Sequence, residues 1–348
     1  MSGESAAVSV AAGAIIAVFA AVVSGVFIAL LYPLLKRYAL AKPDARSSHR
    51  TPTPQGAGIA VIAAMVAAIG IAVGLRLFGP GLDWPLPAII TAAVVMACIG
   101  AIDDIRPLPA APRLLLQAII VAGVIYTLPD QLRIIPLLPW WLERLLLVLG
   151  GLWFVNLVNF MDGIDWMTVA EVIPLTTGLV VLGIAGALPS YGTVVALALG
   201  GAVLGFAYFN RPVAKVFLGD VGSLPIGLLL GWLLLLLAAG GHLAAAIVMP
   251  LYYLADATVT LMWRLIRGEP VWKPHRTHFY QLATDRGFAV MDVVARVFLL
   301  NVCICALAVM TVALPGKASE IVALLASAGL VAALLFTFAR GNDRVSGG

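Results

Sequence analysis

Two adjacent carboxylates, Asp103 and Asp104, close a long uncharged run in Ala101-Ile-Asp-Asp-Ile-Arg106. Side by side they repel each other unless a proton or cation compensates them. On a solvated loop the same pair would be unremarkable. A second group, Asn156-Leu-Val-Asn-Phe-Met-Asp-Gly-Ile-Asp165, sets Asn156, Asn159 and Asp162 at i, i+3 and i+6, one face of a helix. Gly163 lets the chain turn sharply, so that Asp165 approaches the same cleft. Two asparagines in an apolar run are costly unless they bond to something, and interhelical hydrogen bonds are the plainer use for them. In Phe217-Leu-Gly-Asp-Val-Gly-Ser-Leu224 the glycines and an incipient helix N-terminus suit an anion, while Asp220 suits a hard cation such as Mg²⁺. A capped helix start would read the same way. Asp256 stands inside another apolar run, which marks it as a functional candidate or as one half of a buried pair. Finally, His275-Arg-Thr-His278 suits phosphate or sugar-phosphate oxygens better than zinc, because no other His or Cys lies in a polar segment except His49.

What must position these groups follows from composition. Of 348 residues, 62% are apolar and 11% charged, against about 25% charged in an ordinary soluble domain, which excludes a water-soluble globule. The charges come in clumps separated by uncharged runs such as Ala6–Leu35, Val172–Asn210 and Val221–Ala255. A spanning helix needs about 20 apolar residues, so the longest runs must fold back on themselves. Eleven spans result, near 8–34, 57–78, 86–102, 113–128, 143–160, 169–186, 191–209, 223–239, 243–263, 291–313 and 320–339. The fold expected is all-α and polytopic. The first run is too long for a signal-peptide core and no cation precedes it, so it reads as a retained span. Cys98, Cys303 and Cys305 lie in apolar runs and read as packing residues.

Sorting the loops by span parity puts 17 of the 21 Lys and Arg on one side. By the positive-inside rule that side is cytoplasmic, the N-terminus is outside and the C-terminus is cytoplasmic. The chemical candidates fall on the same side, in loops near 36–56, 103–113, 159–168, 210–223 and 264–290 of a single domain, 1–348. Carboxylates among Arg, Lys and His make up the composition of a Mg²⁺-assisted phosphoryl-transfer site.

These motifs resemble the polyprenyl-phosphate N-acetylhexosamine-1-phosphate transferases. The elements occur in that family's order: Arg46-Ser-Ser-His49 with Thr51-Pro-Thr-Pro54, Asp103-Asp104, Asn156-x-x-Asn159-x-x-Asp162-Gly-Ile-Asp165, Phe217-Leu-Gly-Asp-x-Gly-Ser223, and Asp256 with His275-Arg-x-His278-x-Tyr-Gln281. The Arg-Ser-Ser-His and His-Arg-x-His forms look most like the O-antigen-initiating branch; the branch transferring phospho-MurNAc-pentapeptide is the nearer alternative. The resemblance implies a catalytic group of Asp103, Asp104, Asp162 and Asp165, a Mg²⁺ ligand in Asp220 with Mn²⁺ able to substitute, and substrate contacts from Arg46, His49, Asn156, Asn159, Asp256, His275, Arg276 and His278. It departs from the family at Trp166, where a glycine is usual, and at Gln55-Gly-Ala-Gly58, where Arg-Gly-Gly-Gly is common.

The activity expected is transfer of N-acetylhexosamine-1-phosphate from a UDP-sugar to undecaprenyl phosphate, releasing UMP, at the cytoplasmic face of a bacterial inner membrane. The expected partners are those two substrates, membrane lipids and a second copy of the chain, with no nucleic acid. From another class, eleven spans and the mid-span Asp256 also fit a secondary transporter, against which stands the gathering of polar residues at one face. A CDP-alcohol phosphotransferase would need an Asp-Gly-x-x-Ala-Arg motif that the chain lacks.

Overall fold

A computed structural model describes residues 10–41, 52–77, 85–128, 133–271 and 275–341. The chain is built of helices: α1 (Val10–Tyr38), α2 (Gly58–Gly74), α3 (Pro85–Ile105), α4 (Ala110–Tyr126), α5 (Trp140–Met161), α6 (Met167–Ile184) and α7 (Ser190–Asn210). Then follow α8 (Asp220–Ala239), α9 (Leu243–Val248), α10 (Leu251–Ile266), α11 (Phe279–Asp285), α12 (Val290–Ala313) and α13 (Lys317–Arg340). Eight of these are long and apolar enough to cross a membrane, and α2 and α4 are shorter apolar helices.

The expected ninth span differs from the observed one. It is divided between α9 and α10 at Met249–Pro250. Proline offers no N–H and its ring crowds the carbonyl four residues back, so a continuous helix cannot pass through it. Helix ends moved as well: α3 continues through Asp104 to Ile105, and α8 begins at Asp220.

Helix α8 is the most enclosed of the long helices, packed between α3 and α5 and touching α2. That depth rests on glycines. A Cβ at Gly100 of α3 would lie 2.2 Å from the carbonyl oxygen of Asp220, and one at Gly58 of α2 would lie 2.3 Å from Gly222 Cα. The start of α8 therefore touches α2 and α3 backbone to backbone, as small residues permit inside a membrane.

A short antiparallel ribbon joins β1 (Leu40–Ala41) to β2 (Thr53–Pro54), with Leu40 opposite Pro54. Beyond it, Gly56 and Ala57 donate backbone hydrogen bonds to Phe217 O, and Gly58 donates to Leu218 O. This seam fixes the end of the first loop against the segment that leads into α8.

Candidate active site

Four helix ends meet at the first turn of α8. No side chain of its own caps that turn. The α3 residue Asp104 caps it from outside, accepting from the backbone N–H of Asp220 at 3.0 Å and of Val221 at 3.1 Å, while Gln55 Nε2 donates to the same carboxylate. A carboxylate at a helix N-terminus meets both unpaired N–H groups and the positive end of the helix dipole.

Asp103, one residue earlier, turns the other way. It accepts from Leu108 N at 2.6 Å and from Arg113 Nη1 at 2.6 Å. Arg113 Nη1 also lies 3.8 Å from Asp220 Oδ2, so one guanidinium bridges two carboxylates. From α5, Asn159 Nδ2 donates to Asp220 Oδ1 at 2.7 Å and to Ser223 Oγ at 2.8 Å. The cluster holds Asp103, Asp104 and Asp220 against the single cation Arg113. Its surplus of negative charge fits a divalent cation.

Among the described residues no three His, Cys, Asp or Glu side chains form a ready-made metal cage. Mg²⁺ commonly needs only one or two carboxylates together with substrate phosphates. The donor set therefore fits that ion, with Asp220 as the carboxylate best supported by neighbours.

A second group hangs from the C-terminal end of α5. Asp162 accepts the hydroxyl hydrogen of Thr168. Burial pushes its carboxyl up to about 6 despite that bond, and the charges of Asp104 and Asp165 add to the rise. Asp165 is buried and accepts from Ala214 N at 2.9 Å, which ties the turn to the segment after α7. Trp166 follows with φ +63°, a left-handed conformation natural to glycine. Its backbone N–H donates to Asn210 Oδ1 at 2.8 Å and its indole N–H to Ala207 O at 2.6 Å. Those bonds hold the tryptophan in this conformation.

The histidine segment docks on the same end of α5. Tyr280 Oη donates to Phe160 O at 2.9 Å, and a Cβ at Gly163 would fall 2.1 Å from that hydroxyl. Asp256 is fully buried and accepts from Phe279 N at 3.0 Å, Tyr280 N at 3.2 Å and Tyr252 Oη at 3.2 Å, with His278 Nδ1 at 3.3 Å. It fastens the start of α11 and orients His278, and so acts on the segment's position. His278 lies between the rings of Phe160 and Tyr280, centroids 6.3 Å and 5.9 Å away. Arg276 pairs with Asp285 at 3.0 Å, and His275 Nδ1 sits 2.9 Å from Thr277 Oγ1.

The structure thus brings Asp103, Asp104, Asn159 and Asp220 together, with Asp162, Asp165 and the histidine segment beside them at the end of α5. It sets Asn156 apart. That side chain donates to Gln117 Oε1 and to Leu152 O, each at 2.8 Å, as an interhelical link between α5 and α4. Arg46 and His49 lie outside the described residues. Sequence reasoning passed over Arg113, the lone cation between Arg106 and Arg133, a signal that was available. Gln55 stood out there only as a departure from the common Arg, and the fold alone places it against Asp104.

A sequence model of glycosyl transferase family 4 matches residues 86–238, the stretch that carries Asp103, Asn159, Asp162 and Asp220. Over that stretch the chain is similar to glycosyl transferase family 4, and the match together with its relatives indicates a transferase. The chain is 27% identical over 283 residues to a probable undecaprenyl-phosphate N-acetylglucosaminyl 1-phosphate transferase of Bacillus subtilis, covering 76% of each chain. It is 33% identical over 212 residues to a decaprenyl-phosphate N-acetylglucosaminephosphotransferase of Mycobacterium tuberculosis, which covers 55% of this chain and 52% of that one. A phospho-N-acetylmuramoyl-pentapeptide-transferase of Lactococcus lactis is 31% identical over 159 residues, or 40% of this chain and 48% of that one. The chain thus spans about half the length of the last two relatives.

Proposed function

We propose that this protein transfers an N-acetylhexosamine-1-phosphate from a UDP-sugar to undecaprenyl phosphate, releasing UMP and starting a lipid-linked cell-envelope glycan such as O-antigen. The observation that carries the reading is the convergence of Asp103, Asp104, Asn159 and Asp220 with Arg113 at the first turn of α8. That turn lies at one end of a membrane-length helix. A charged nucleotide arriving from water and a lipid phosphate arriving sideways from the bilayer can both reach such a place. The excess of Lys and Arg in the loops on that side supports a site at the cytoplasmic face of a bacterial inner membrane.

Mg²⁺, held by Asp220, would neutralise the diphosphate oxygens. The chain's own residues supply the rest. Asn159 fixes the Asp220 carboxylate, and Arg113 offers a guanidinium to phosphate oxygens once it leaves Asp103. Asp103, released from Arg113, stands to accept a proton from the lipid phosphate. Asp104 keeps the α8 N-terminus in place, so that its role is to position. An oxygen of the lipid phosphate bonds to the β-phosphorus of the UDP-sugar while the bond from that phosphorus to the bridging oxygen breaks, and UMP departs with that oxygen. Positioning and charge neutralisation are the main demands of such a transfer.

The test is purified protein with Mg²⁺ or Mn²⁺, undecaprenyl phosphate and a panel of UDP-sugars, following UMP and lipid product together. A UDP-N-acetylhexosamine should give both. UMP from UDP-MurNAc-pentapeptide alone would move the protein to the peptidoglycan branch, a reading favoured by the similarity to the Lactococcus protein. Absence of UMP with every sugar would overturn the proposal.

A further inference from the structure

The C-terminal end of α7 carries a group that the transfer reaction does not use. Arg211 lies over the ring of Tyr208 with its guanidinium carbon 5.0 Å from the centroid, and Lys215 lies over the same ring with Nζ at 5.8 Å. Both cations are exposed. Among the described residues neither makes an ion pair with a carboxylate. Two like charges gathered on one aromatic ring repel each other, and a shared anion relieves that repulsion.

The surroundings say which anion. Most of α7 is buried, but Leu204 and Tyr208, one turn apart, are 52% and 57% exposed. They form a short apolar stripe, one turn long, at the C-terminal end of a membrane-length helix, next to the two cations. Val213, between the cations in sequence, is 78% exposed. An apolar stripe capped by paired cations beside an amphipathic tyrosine matches a phospholipid, acyl chain along Leu204 and phosphate at Arg211 and Lys215. A soluble phosphate would have no use for the stripe.

We infer that Tyr208, Arg211 and Lys215 form a binding site for the headgroup of an anionic phospholipid. The site adjoins the candidate active site. The segment between Arg211 and Lys215 supplies Ala214 N to Asp165, and Asn210 holds both Trp166 N and Val216 O. A headgroup bound there would steady the turn that carries Asp162 and Asp165.

The experiment uses the full chain in nanodiscs of phosphatidylcholine containing a minor fraction of phosphatidylglycerol, with retained lipid read by native mass spectrometry after gentle release. Wild type should retain phosphatidylglycerol over phosphatidylcholine, and Arg211→Gln/Lys215→Gln should weaken that retention about 30-fold, the effect of two interfacial cations. The swap Arg211→Lys/Lys215→Arg keeps the charge and should keep the lipid, which separates loss of the site from misfolding. Equal retention by wild type and the double Gln variant would overturn the inference. So would inorganic phosphate that displaces the lipid at equimolar concentration. None of these readouts requires transfer activity, so the inference stands or falls apart from the proposed reaction.

Discussion

Asn159 on α5 and Asp220 at the first turn of α8 are joined by a 2.7 Å hydrogen bond, from Asn159 Nδ2 to Asp220 Oδ1. The same amide reaches Ser223 one turn further on. Asp220 is consequently held in one orientation, with its second oxygen turned toward Arg113 and the open side of the cluster. A metal ligand needs this kind of support, because an orienting neighbour commonly accounts for 10–100-fold in metal affinity or activity.

Asp220→Ala should therefore abolish Mg²⁺-dependent formation of lipid-linked sugar in a well-folded preparation. Asn159→Ala should lower turnover about 10–100-fold and raise the Mg²⁺ concentration needed for half-maximal rate. Titration of activity with Mg²⁺ for the two variants checks this. Near-normal turnover by Asp220→Ala would sink the metal assignment.

The Asp162 carboxyl, raised from 3.8 to about 6, gives the acid side of the pH profile a physical cause. Below about pH 6 it is protonated in the folded protein. If the ionised form serves the reaction, activity falls as pH drops through that value. Stability runs the opposite way: the raised value means that folding favours the protonated form, so its contribution is fully present below the ordinary 3.8 and is lost as pH rises through about 6. Thr168→Val removes the hydroxyl that supports the ionised form and should move the acid limb to higher pH. Asp162→Asn should flatten it. Rate against pH for the three proteins decides the matter, and an unmoved limb in Thr168→Val would count against Asp162 as its source.

How much of this was legible in the sequence depended on the reach of each interaction. Uncharged runs gave the helices, because span length and apolar content are local properties; the break at Pro250 was legible too, though passed over within a single long run. Motif spacing put Asn159 and Asp162 on the end of one helix, and the structure keeps both there. Spacing could not say what faced them. Asn156 shares their helical face by count, yet it bonds to Gln117 on α4. Whether Asp256 was a functional carboxylate or one half of a buried pair stayed open in the sequence, because Phe279 N, Tyr280 N and His278, which it fastens, lie over twenty residues away. Asp104 as a cap for α8 depends on a contact between residues 116 positions apart.

Trp166 is the position where local reading raised a question that the backbone answers. At φ +63° any side chain with a Cβ is strained, and glycine is not. In an ordinary helix alanine stabilises more than glycine, but here the order should reverse. Trp166→Gly should unfold at a higher temperature than Trp166→Ala, by an amount corresponding to about 1 kcal/mol. Both variants lose the indole bond to Ala207 O, so their difference isolates the backbone. Thermal unfolding in one detergent measures it, and an Ala variant as stable as the Gly variant would show that the left-handed turn relaxes on substitution.

The junction of Gly163 with Tyr280 offers the sharpest test of how the histidine segment reaches the site. A methyl group at residue 163 would meet the Tyr280 hydroxyl at 2.1 Å, a distance no side chain tolerates, while the ring carbon bearing that hydroxyl stands at 3.1 Å. The Tyr280 ring is fully buried, so it cannot swing away without lifting the start of α11 from the end of α5. Gly163→Ala should cost about 1–3 kcal/mol, the range for overpacking a filled interior, and should lower turnover by displacing His275, Arg276 and His278 together. Tyr280→Phe alone forfeits the bond to Phe160 O but clears the space. The double variant Gly163→Ala/Tyr280→Phe should therefore be more stable and more active than Gly163→Ala alone, a sign of coupling that two independent lesions would not give. A double-mutant cycle on unfolding temperature and turnover measures that coupling. Additive losses would mean that α11 is not seated on Gly163 when the protein works.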